Sequence, residues 1–83
     1  MDHRAHSLGW AFNSQMFADT IKTARHDMMV SRVEVAFAAL VMDTDMAVAE
    51  TGLAHTLPVS VVLSIASFYR LDLLRYFRED LFD

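Results

Sequence analysis

From Asp45 to Tyr69 the chain reads DMAVAETGLAHTLPVSVVLSIASFY. This order of a short helix, a glycine turn and a longer helix is that of a helix-turn-helix unit. The stretch leaves little room for another fold. Gly52 suits the left-handed position just past a helix end, and Pro58 is tolerated only in a first helical turn. A strand reading competes, because Val59, Val61, Leu63 and Ile65 alternate with smaller residues. Helix is preferred because Val62, Ile65, Ala66, Tyr69, Leu73 and Tyr76 hold a helical stripe well beyond strand length.

Around this centre the pattern is also helical. Ser14 is the expected N-cap of a first helix, Gln15 to Met29, with Phe17, Ile21, Ala24 and Met28 on one face. Ser31 and Glu34 have the spacing of a capping box, starting a second helix that runs to about Met42. That helix is apolar on two sides, with Val33, Ala36, Phe37, Leu40 and Val41 on one and Val35, Ala39 and Met42 on the other. Such a helix is central or carries an interface; the central position is the favoured expectation. Asp43-Thr44-Asp45 supplies the next N-cap, and a short third helix runs from Met46 to about Thr51, with Leu53 plugging the turn into the core. The fourth helix extends to about Arg78, or breaks near Arg70–Asp72 and restarts; the pattern leaves both open. The expected fold class is all-α, a compact four- to five-helix domain over residues 14–83, preceded by a flexible N-terminal tail, residues 1–13, that Trp10 and Phe12 can anchor.

Composition narrows the function. The chain has 83 residues, 54% of them hydrophobic, and a formal net charge of −4. One small core cannot bury that much apolar side chain, so part of it is expected at a surface that awaits a partner or a second copy. Without cysteine there are no disulfides, thiolate metal sites or cysteine nucleophiles. A polar start without a long apolar run gives no secretory signal. The longest uncharged run, Thr51–Tyr69, is interrupted by Gly52, His55, Pro58 and three serines, and falls short of the about 20 mostly apolar residues of a spanning helix. A cytoplasmic protein without membrane contact is expected.

No enzyme motif is present: no phosphate-cradling glycine loop, no zinc-protease helix and no nucleophile elbow. His26 and His55 have no catalytic partner assigned by spacing. His3 and His6 fall short of a metal ligand set, and the acids near Asp43 read as helix-start residues that favour the dipole. Neither cofactor nor metal is expected.

The charge distribution separates two readings of the central unit. A DNA reader neutralises phosphates with basic residues. From Val33 to Tyr69 the chain has no lysine or arginine, while Glu34, Asp43, Asp45 and Glu50 are acidic. Arg70, Arg75 and Arg78 come only at the end of the long helix. That helix instead presents a stripe of small residues, Ser60, Ser64 and Ser67, flanked by Val61, Leu63, Phe68 and Leu71. Small residues allow close approach and apolar flanks supply burial, the profile of a protein-docking face. The expected contact residues are Ser60, Leu63, Ser64, Ser67, Phe68 and Leu71, with Arg75 and Arg78 as steering charges. The competing reading of the serines is the solvent side of a core helix.

Two resemblances bear on this. The Ala47–Leu53 helix and turn, the long helix and the closing Tyr76-Phe77-Arg78-Glu79-Asp80-Leu81 make the stretch from Met28 to Arg78 similar to the helix-turn-helix domain of conjugative-element transfer activators, which also occurs alone in QseM-like quorum-sensing antiactivators. The chain departs from it by lacking glycines before the aromatic and by its missing basic residues. Met46-Ala47, Leu57-Pro58, Ile65-Ala66 and Phe77-Arg78 resemble, with gaps, the flagellar regulator FlhD. The first resemblance implies a small protein that binds a transcriptional activator and silences it. The alternative is a DNA-binding regulator acting as a dimer or beside a basic partner subunit, using Arg70, Arg75 and Arg78. Self-association into a homodimer is a third reading.

Overall fold

The computed structural model describes residues 11–77. These residues form an all-α domain: α1 (Ser14–Met28), α2 (Arg32–Ala39), α3 (Asp43–Glu50), a 3-10 turn at Ala54–Thr56, α4 (Val59–Tyr69) and a second 3-10 turn at Leu73–Tyr76. The expected tail up to Trp10, with His3 and His6, and the closing residues Arg78 to Leu81-Phe82 lie outside the described residues.

All four helices stop in the same way. A residue at the end of each turns left-handed, directly after the helix body at Met29, Leu40 and Arg70 and one residue later, after Thr51, at Gly52. The next backbone N–H then reaches five residues back: Val30 to Arg25, Val41 to Ala36, Leu53 to Val48 and Leu71 to Ala66. This is the Schellman motif, in which the terminal carbonyls find donors and an apolar residue follows the turn. Only Gly52 is a glycine, at φ +88°, and a β-carbon there would lie 2.8 Å from the Gln15 side-chain oxygen.

Several expected boundaries shift for identifiable reasons. Asn13, not Ser14, caps α1 by accepting the Met16 N–H at 3.0 Å. Ser14 is the first helical residue, and its hydroxyl is engaged with His55. The capping box at Ser31 and Glu34 is present as expected. However, α2 stops at Ala39 rather than Met42, because Leu40 takes the left-handed turn. Helix α3 starts at Asp43, capped by the Met42 backbone without a side-chain bond; the Asp43 carboxylate is held by Arg32 at 2.8 Å. Leu53 does not plug the core and is half exposed; Ala54 and Leu57 are buried in its place. Pro58 precedes α4, and the helix breaks at Arg70, the second of the two alternatives left open.

The core gathers Phe17 and Ile21 from α1, Val35 and Ala36 from α2, Met46 and Ala49 from α3, and Val62, Ile65 and Ala66 from α4. Phe12 closes one end as expected of an anchor. Its ring meets those of Phe17 and Phe77 edge-on, each at 5.4 Å between centroids. Tyr76 reaches the same cluster after the break, so the stripe read along one long helix is completed by a 3-10 turn.

The second helix is not central. Val35, Ala36 and Ala39 face inward, while Val33, Phe37 and Leu40 are exposed, the last two at 84% and 90%. Its double-sided apolar pattern therefore leaves one side unburied.

Candidate functional site

The site is framed by α2 and α4, which pack side by side. Ala38 and Ala39 from α2, with Leu63, Ser64, Ser67 and Phe68 from α4, line an open concavity of about 430 Å³. A second concavity of about 290 Å³ is lined by Leu40, Val41, Met42, Asp45, Ser60, Val61 and Ser64. Ser64 belongs to both, so the two form one groove along two turns of α4, about 12 Å long at 1.5 Å per residue.

The floor is small and chemically quiet. Ala38, Ala39, Ser64 and Ser67 leave no bulk between the helices. The Ser64 hydroxyl donates to the Ser60 carbonyl of its own helix at 3.0 Å, so burying it leaves no donor unpaired. The surroundings are large and apolar: Leu63 is 48% exposed, and Leu40 and Met42 are more so. Single exposed apolar residues are ordinary, whereas several around one depression mark a place of contact.

Of the residues expected from sequence, Ser60, Leu63, Ser64, Ser67 and Phe68 come together in this groove. Leu71 does not line it; it follows the Arg70 turn and packs against the core. Arg75 sits exposed on the second 3-10 turn, outside the groove. Arg78 lies outside the described residues. Sequence reasoning missed Ala38, Ala39, Leu40, Val41, Met42 and Asp45 as lining residues; the two-sided apolar pattern around α2 was the signal that could have found all but Asp45.

The electrostatics of the frame are one-sided. The single cation of α2 to α4, Arg32, is spent on Asp43, with bonds of 2.8 and 2.9 Å. That pairing and its hydrogen bonds hold the Asp43 carboxyl below its ordinary value. The backbone and hydroxyl bonds from Ser31 do the same for Glu34. Asp45 has no ion-pair partner among the described residues.

Two further polar clusters belong to the framework. Glu50 takes Arg25 in a two-point grip, Nε to Oε2 at 2.8 Å and Nη2 to Oε1 at 3.0 Å. Arg25 also donates to the Val30 carbonyl at 3.2 Å, and the Glu50 bond raises the guanidinium further above its ordinary value. His55, to which spacing assigned no catalytic partner, lies in the first 3-10 turn and meets Ser14. Its backbone N–H donates to Ser14 Oγ at 3.0 Å, and its Nδ1 lies 2.8 Å from the same oxygen. Ser14 is buried and no carboxylate hydrogen-bonds the imidazole among the described residues, so the pair acts as a clip between α1 and the first 3-10 turn. No group of three or more metal-ligating side chains occurs among the described residues, and no described helix is long and apolar enough to cross a membrane. Comparison of the chain with family models, characterised proteins and solved structures gives no match.

Proposed function

We propose that this is a non-enzymatic regulatory protein that docks onto another protein, a transcriptional activator, and silences it through the α2–α4 groove. The observation that carries this reading is the groove itself. It has a floor of alanine and serine, with the Ser64 hydroxyl satisfied within α4, and exposed leucine and methionine along it, on elements without an unspent cation. Such a surface fits the burial of a partner's apolar side chains and lacks the charge that phosphate binding requires. The resemblance of Met28–Arg78 to the domain of transfer antiactivators supplies the activator as the partner class, with conjugative transfer and quorum sensing as the setting.

The test has two arms. Binding to mixed duplex DNA is measured at about 20 mM and about 150 mM salt, because phosphate-driven affinity falls steeply over that interval. In parallel, a two-hybrid selection against bacterial transcriptional activators compares the wild-type chain with S64R, which fills the groove floor. The expected result is no DNA binding at either salt and an activator captured only by the wild type. Salt-sensitive DNA binding would replace this reading with the DNA-binding one through exposed Arg70 and Arg75. Capture that survives S64R would place the docking face elsewhere.

A further inference from the structure

We infer that the occupant of the groove is an amphipathic helix with an apolar ridge and lysine or arginine at the end that meets Asp45. This inference rests on the docking reading above and gives its partner a chemistry.

The shape argues for a helix. Floor residues Ala38, Ala39, Ser64 and Ser67 permit the axial separation of 8–10 Å at which helices pack. The groove's length matches two turns, enough for anchors at i, i+3 or i+4, and i+7. Backbone groups of a helix are satisfied internally, so it asks for no hydrogen bonds from the floor, and the floor has few to give: Ser64 is already bonded to Ser60.

The charge argues for its sign. Asp45 lines the end of the groove beside Ser60 and Met42. The guanidiniums of Arg25 and Arg32 are committed to Glu50 and Asp43. Arg70, which follows α4, is at the opposite, Phe68 end. A basic helix end supplies the cation that α2–α4 lacks at Asp45; a second copy has only its Arg70 to set there, and solution mass separates the two occupants.

Two labelled helical peptides of about 18 residues test this. They share one leucine–alanine face and differ only in lysine or glutamate at the flanking positions. Each is titrated against the full chain, and against D45N and D45K, at about 50 mM and about 500 mM salt, while solution mass is recorded. The lysine peptide is expected to bind about tenfold or more tighter than the glutamate peptide at low salt. That preference shrinks at high salt, weakens in D45N and is lost in D45K, with helicity retained in both. Equal binding, or preference for glutamate, overturns the charge assignment and leaves the docking reading standing. Failure of both peptides on a monomeric chain overturns both. A mass of two copies that L63D returns to one assigns the groove to self-association and overturns the proposal.

Discussion

The two flanks of this domain treat similar residues in opposite ways. On the α1–α3 flank, Phe17, Ile21, Met46 and Ala49 are sealed from solvent, and the buried Glu50 carboxylate is met by Arg25 at two points. On the α2–α4 flank, Leu40, Met42 and Leu63 stand in water around a floor of alanine and serine, and Phe37 of α2 is exposed as well. Both flanks belong to one small fold with a shared core, so the contrast is not between folded and loose regions. The first flank closes on itself; the second is left open. An apolar side chain that the fold leaves in solvent contributes little to stability, which is why its placement is informative about contact rather than folding.

The comparison breaks most readily at two phenylalanines. Phe17→Ala removes a side chain buried by every surrounding element and is expected to cost about 3–5 kcal/mol. The same change at Phe37 is expected to stay within about 0.5 kcal/mol, as an exposed substitution does. Urea unfolding followed by circular dichroism measures both. A cost at Phe37 comparable with that at Phe17 would mean that α2 is closed against its own chain, and the open flank would disappear.

The ion pair sharpens the description of the sealed flank. Arg25→Ala leaves the Glu50 carboxylate buried without its guanidinium, which is expected to cost about 3 kcal/mol, near the lower end for a broken buried pair because the Arg25 side chain retains some exposure. Replacing both residues, by R25M with E50L, removes the charges together and is expected to recover most of that loss. If the double variant is as unstable as R25A, Arg25 acts through the Val30 carbonyl and its packing, not through Glu50.

How much of this was legible depends on which physical signal each part leaves in the sequence. The helices were legible because their apolar periodicity is long, and the start of α2 also because Ser31 and Glu34 form a side-chain capping box. Their ends were harder, because three of the four left-handed turns fall on Met29, Leu40 and Arg70 rather than glycine. A non-glycine residue there is costly and gives no composition cue. The cue that does exist is the apolar residue that follows each turn, Val30, Val41, Leu53 and Leu71, three of which pack against the core. The α4 half of the groove was legible as a stripe of serines with apolar neighbours. The α2 half was not, because periodicity says that a helix has two apolar sides without saying which is buried. Arg25–Glu50 spans 25 residues and connects two helices, a pairing that local spacing cannot reveal.

The subtlest contrast concerns Tyr69, at the end of α4 where the sealed flank begins. Its ring is partly exposed, but its hydroxyl is buried and has no hydrogen-bond partner among the described residues. Burial, with a further contribution from the Glu50 charge and an opposing one from Arg25, pushes the phenol up to about 12. An acid raised in the folded state holds its proton more tightly there than in the unfolded chain. The stability linked to that proton is therefore complete below about pH 10, the ordinary phenol value, and is lost as pH rises towards 12. Tyr69→Phe removes both the titration and the unpaired hydroxyl. Stability at neutral pH is expected to stay level or rise by up to about 1 kcal/mol, and the alkaline loss to become shallower. The difference between the near-ultraviolet absorbance titrations of wild type and variant isolates this one phenol. If that difference is centred near 10, the hydroxyl is solvated, and the sealed flank is open at the edge where it meets α4.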